Sequence, residues 1–184
     1  MMTRAVIRVC FTVPALTHGE GTAMRKLLTG LALATALVAT PALADTISFK
    51  AAKVLIDVPD EWHSSTDSGT ITLADKHENV AVSFTAVDAG AVKAAAKYVK
   101  RQLEKKIDKL TLTDPEHTTV NGMDGVLVKG DGFLNGVNID LAIIILDTPS
   151  DSNDLLVFAI GEDAKLAKHM DEVQHIFHHL RPMN

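Results

Sequence analysis

The stretch that most constrains the fold runs from His117 to Gly161, HTTVNGMDGVLVKGDGFLNGVNIDLAIIILDTPSDSNDLLVFAIG. Apolar and β-branched runs alternate here with turn residues, the signature of consecutive antiparallel strands. Asn121-Gly122 can adopt the positive φ angles of a two-residue hairpin turn. Strands are predicted over 118–120, 125–129, 137–147 and 155–160, with Gly130-Asp131-Gly132 as a bend. Residues 141–146 (LAIIIL) are apolar without a break. A strand exposed on one side alternates, so this one has both faces covered.

Upstream, 46–49 and 54–58 read as short strands, the second ended by Pro59, which cannot donate to a ladder. Ser64 and Ser65 fall in a polar loop. Residues 70–73 alternate with period two, 75–79 form a polar turn, and Val80, Val82 and Phe84 alternate on the return. Asp88 suits an N-cap for a helix over 91–110, whose stripe is Val92, Ala96, Val99, Leu103, Ile107 and Leu110. A second helix is predicted over 163–180, with Leu166, Met170, Val173, Phe177 and Leu180 inward and Pro182 as the stop. The pattern predicts an α+β fold: an αβα sandwich with a central antiparallel sheet of about six or seven strands, flanked by two long amphipathic helices.

The N-terminus gives an address. Met24-Arg25-Lys26 is basic, 27–40 is apolar and uncharged, and Pro41-Ala42-Leu43-Ala44 offers small residues before Asp45. These are the three regions of a secretory signal peptide over 24–44. Residues 1–23 resemble none of them and read as an upstream extension from a start assigned too early, or else as a long n-region. A single domain over 45–184 remains. Cleavage after Ala44 removes four of the 18 basic side chains and one of the 23 acidic ones. The remaining acidic balance argues against nucleic-acid binding. It also removes Cys10, the one cysteine, and with it disulfides, thiolate metal sites and a lipid-anchor thiol. These features predict a periplasmic or secreted protein without a transmembrane anchor after cleavage.

The order of elements carries a resemblance. Two strands lead to Pro59-x-x-Trp62, a hairpin and a helix; then come Asn121-Gly122, a Gly-rich segment, two long strands and a last helix. This resembles the PsbP/DcrB-like group of exported accessory proteins, which shares its fold with a Ran-binding nuclear import factor. The resemblance spans 45–184 and implies accessory, assembly or binding roles without a shared catalytic motif or cofactor. The sequence departs from the group at Glu61, where glycine is expected before the tryptophan.

Two residue sets are candidates for function. Lys93, Lys97, Arg101 and Lys105 recur at i, i+4 along the first helix, a basic face on an acidic protein. Such a face is most often simply solvated; as a site it would dock an acidic envelope protein or an anionic surface. On the last helix, Glu172, His175 and His179 at i, i+3 and i+7 share a face that could hold a divalent metal. A site of solvent-facing helix ligands alone would bind weakly for want of supporting hydrogen bonds. Other chemistry finds little support. There is no His-Glu-x-x-His and no Gly-x-Ser-x-Gly, Gly130-x-Gly132-x-x-x-Gly136 does not open a helix, and loop 147–154 lacks EF-hand spacing. The sequence therefore predicts a non-catalytic, exported accessory or binding protein acting through protein contacts in the envelope. The alternative is a periplasmic metal-binding protein.

Overall fold

A computed structural model describes residues 45–89 and 92–183, with the side chains of 92–95 outside the description. The extension and signal peptide expected over 1–44 lie outside the described residues. The chain opens with β1 (Asp45–Phe49), a 3-10 turn (Lys50–Ala52) and β2 (Val54–Val58). Next come β3 (His63–Asp67), β4 (Thr70–Ala74), β5 (Val80–Asp88) and helix α1 (Val92–Glu104). Strands β6 (Asp108–Leu112), β7 (Glu116–Val120), β8 (Met123–Leu134), β9 (Val137–Leu146) and β10 (Asn153–Glu162) follow. Helices α2 (Asp163–Leu166) and α3 (Met170–His179) and the short β11 (Arg181–Pro182) complete it.

Three two-residue turns shape the main sheet. Ser68-Gly69, Asn121-Gly122 and Asn135-Gly136 each place both residues at positive φ, from 47° to 83°. This is the turn whose twist matches the flanking strands. The result is an antiparallel eight-stranded sheet in the order β3-β4-β5-β10-β9-β8-β6, with β7 also paired to β8. A separate sheet runs β1-β2-β11.

The unbroken apolar run of β9 divides between two cores. Ile144 and Leu146 join Val82, Phe84, Leu155 and Val157 on one face, under Val54 and Ile56 of the small sheet and Val173, Ile176 and Leu180 of the C-terminal segment. Leu141, Ile143 and Ile145 join Ile139, Leu156 and Ile160 on the other, where Val99 and Leu103 of α1 pack. Each such aliphatic side chain contributes about 1.5–3 kcal/mol on burial.

The structure corrects several expectations. The described residues hold eleven strands, eight of them in the main sheet, where about six or seven were predicted. The helices are few and shorter than predicted, thirteen residues for α1 and ten for α3. The first ends at Glu104, where Ile107 N–H still donates to the Leu103 carbonyl at 2.8 Å before the chain turns into β6. Ile107 and Leu110 reach the predicted core from that turn and strand. The second is interrupted between Leu166 and Met170, where His169 takes φ −101° and ψ 10° as the residue before α3. Gly130 and Gly132 form no bend; they lie inside β8 and let β6 approach. A Cβ on Gly130 would sit 2.5 Å from the Thr111 carbonyl oxygen. Ser64 and Ser65 belong to β3. Glu61 takes φ 66°, the left-handed region that favours glycine, so the departure from the resembled pattern keeps its backbone shape.

Asn121 does more than turn the chain. Its side-chain amide donates to the carbonyls of Phe177, His178 and Leu180 at 3.1, 3.0 and 2.6 Å, capping the end of α3. Asn121→Gly keeps the positive φ and deletes only this clamp. It is expected to lower stability by about 1–2 kcal/mol in urea unfolding, with the hairpin intact by NMR.

Candidate functional site

Helix α1 turns Val99 and Leu103 to the sheet and Lys97, Lys100 and Arg101 to solvent, and Lys105 is exposed in the turn just past its end. The Lys93 side chain lies outside the described residues. Lys100 pairs with Glu104 at 4.0 Å, an exposed contact worth little. Among the described residues, Lys97, Arg101 and Lys105 have no carboxylate within ion-pair distance. Beside them Tyr98 is 57% exposed. Past the helix, Lys109 Nζ stands 5.3 Å from the centroid of the exposed Phe133 ring. Cations beside an exposed tyrosine are a composition typical of protein-binding anchors.

The predicted metal set divides. His175 and His179 stack, with ring centroids 4.0 Å apart, and His179 Nδ1 lies 2.9 Å from the His175 carbonyl oxygen. Glu172 instead meets His169 Nδ1 and accepts from Trp62 Nε1 at 3.4 Å. Among the described residues no three or more His, Cys, Asp or Glu side chains are grouped to hold a metal.

Sequence reasoning missed the cluster that captures Glu172. Asp75 is 2% exposed at the β4–β5 turn. Its carboxylate accepts backbone N–H groups of His77, Asn79 and Val80 at 3.0, 2.6 and 2.7 Å, and the Asn79 side chain at 3.1 Å. His169 Nε2 lies 3.8 Å from Asp75 and its Nδ1 meets Glu172, so both ring nitrogens face carboxylates. The ring also sits edge-on to Trp62, 6.5 Å between centroids. This imidazole lies between the β4–β5 turn and α3 with both nitrogens facing protein carboxylates, and is not an open ligand. The Asp75-to-Asn79 spacing hinted at an acid closing its own turn, but nothing local pointed to His169 or Trp62.

Electrostatics fit the same picture. Burial pushes the Asp75 carboxyl up, but hydrogen bonds from Val80, His77 and Asn79 outweigh it and hold the group below the usual range. At Asp57, burial is likewise outweighed by hydrogen bonds from Arg181 (2.9 Å) and Thr46 (2.7 Å). Asp140 is raised by burial and by Asp163 and Asp131, and Asp154 by burial and by Asp147. No buried side-chain nitrogen or oxygen among the described residues lacks a partner. Asp57, Asp75, His169 and Glu172 are engaged in contacts within the fold, while the outer face of α1 carries exposed cations.

The fold defines a class: an α+β protein whose long antiparallel sheet carries a small sheet and the C-terminal helices on one face. LpqN of Mycobacterium tuberculosis, described as involved in cell envelope biogenesis, is similar over 71% of this chain and 83% of its own, with 15% identity and a TM-score of 0.53. The cyanobacterial PsbP (CyanoP) of Synechocystis matches over 75% and 91%, with 9% identity and a TM-score of 0.53. A variant of the protein Mog1 matches over 76% and 96%, with 9% identity and a TM-score of 0.50. The chain has the fold shared by PsbP, LpqN and Mog1. No protein-family model and no curated protein matches it.

Because the folded Asp75 pKa lies below its unfolded value, its stabilisation is present above the unfolded pKa and disappears as pH falls through the folded one. Asp75→Asn, which loses the charge and turns an amide toward N–H donors, is expected to cost about 2–3 kcal/mol at pH 7. Its urea midpoints should vary less than wild type between pH 5 and pH 2, and an unchanged acid slope would contradict this role.

Proposed function

We propose that this chain is an exported, non-catalytic accessory protein of the cell envelope that docks an acidic partner protein through the outer face of α1. The observation that carries the reading is the row Lys97, Arg101 and Lys105 beside Tyr98, exposed on an otherwise acidic protein and uncompensated by carboxylates among the described residues. Clustered cations speed encounter with an acidic surface, and a tyrosine supplies contact area at little entropic cost. The fold supports the reading through LpqN, described as an envelope biogenesis protein. The signal-like segment over 24–44 supports export. No helix among the described residues is long and apolar enough to cross a membrane.

Crosslinking of the tagged protein in its native envelope, read by mass spectrometry, should give one reproducible partner joined through lysines 97 to 109. Reversing the face with Lys97→Glu, Arg101→Glu and Lys105→Glu should weaken capture by about tenfold or more, and added salt should weaken the wild-type complex. Recovery undiminished in the folded triple variant would defeat the docking reading.

A second reading rests on the stacked His175 and His179 alone, with Glu172 engaged by His169 and Trp62: weak binding of a divalent metal. Zinc should then raise the melting temperature, and His175→Ala/His179→Ala should abolish the rise. An equal rise in both proteins would remove this reading.

A further inference from the structure

Among the described residues, strand β3 forms one edge of the main sheet, at the opposite end from β6. His63, Ser64, Ser65 and Thr66 are exposed and Asp67 is half-buried. Proteins usually guard such an edge with lysine, proline, a bulge or a covering segment. The sequence HSSTD has neither lysine nor proline, and its pairing with β4 is regular from His63↔Ala74 to Asp67↔Thr70.

The direction of the unused backbone groups follows from the hairpin. Ser68 and Gly69 form a two-residue turn, with φ 48° and 80°, closed by Asp67 and Thr70. In such a hairpin the closing pair exchanges both backbone hydrogen bonds, and hydrogen-bonded pairs alternate along the ladder. The N–H and C=O groups of His63, Ser65 and Asp67 therefore turn toward β4. Those of Ser64 and Thr66 turn outward.

We propose that this edge pairs with the β3 edge of a second copy of the chain, antiparallel and two-fold symmetric about Ser65. In that register Ser64 of each copy exchanges both backbone hydrogen bonds with Thr66 of the other. The remaining positions are the closely spaced pairs, where side chains meet. There His63 faces Asp67 of the second copy, twice, and the two Ser65 residues face each other. An imidazole N–H can donate to the carboxylate in either charge state of the ring, and opposite-charge or hydrogen-bonding pairs at such positions stabilise a ladder. A register two residues away places His63 and Asp67 opposite serine or beyond the strand, so this pairing selects one alignment. An edge contact five residues long is small beside a permanent interface, so association is weak and shows at high protein concentration. Joining the two sheets would present two α1 faces in one particle, and binding to clustered partners would gain by avidity.

The test uses the protein purified as the cell processes it. Sedimentation from about 10 µM to about 1 mM should show a monomer–dimer equilibrium, with slowed amide exchange at Ser64 and Thr66 as dimer forms. His63→Asp places two acids opposite each other and Asp67→His places two imidazoles opposite each other. Each should weaken self-association by about tenfold, and an equimolar mixture should recover it as a heterodimer. Circular dichroism confirms that each variant is folded. A protein monomeric at every concentration, a dimer indifferent to both substitutions, or single losses without recovery on mixing would overturn the proposal. So would a monomer whose edge is protected only by an added extended peptide.

Discussion

The ladder joining β8, β9 and β10 is the interaction on which the rest of the structure depends. Its middle strand is apolar on both sides, so it can be stable only with a layer above and a layer below. One side receives the small sheet and the C-terminal helix, and the other receives α1 and Ile107. Neither covering layer has a core of its own. The small sheet has three strands, one of them two residues long, and isolated sheets of that size are marginal in water. The exterior elements are there because β9 has two faces to bury.

Specific polar contacts hold those layers in place. Asn121 reaches across to the end of α3, Arg181 and Thr46 both bind Asp57, and His169 joins the β4–β5 turn to Glu172. Each links segments remote in sequence. Apolar burial is non-directional and would accept several positions of α3 on the sheet. Hydrogen bonds to particular carbonyls and carboxylates accept one. Polar groups spent in this way fix the position of α3 and the small sheet on the main sheet.

The parts of this structure legible in the sequence are those whose cause is local. Asn121-Gly122 announces its turn, Val80, Val82 and Phe84 announce their face, and residues 141–146 announce burial on both sides. Strand β3 was not legible, because HSSTD has no apolar residue; its place comes from its backbone ladder with β4. Strand β6 was hidden because Ile107 and Leu110 continue the spacing of the helix before them, though they reach the core from a turn and a strand. The basic face of α1 was legible as a repeat of four. The part of Glu172's capture made by Trp62 was not, since the two lie 110 residues apart.

The small sheet is built from the two ends of the described chain. Leu55 pairs with Arg181 and Val54 with Pro182, and Met183 N–H donates to the Lys53 carbonyl at 2.8 Å. A ladder between segments so far apart in sequence has a high contact order, and closing it costs more loop entropy than closing any of the hairpins. The small sheet is therefore expected to close late in folding, after the hairpins of the main sheet have formed. Until it closes, the face of the main sheet that carries Val82, Phe84, Leu155 and Val157 lacks its cover.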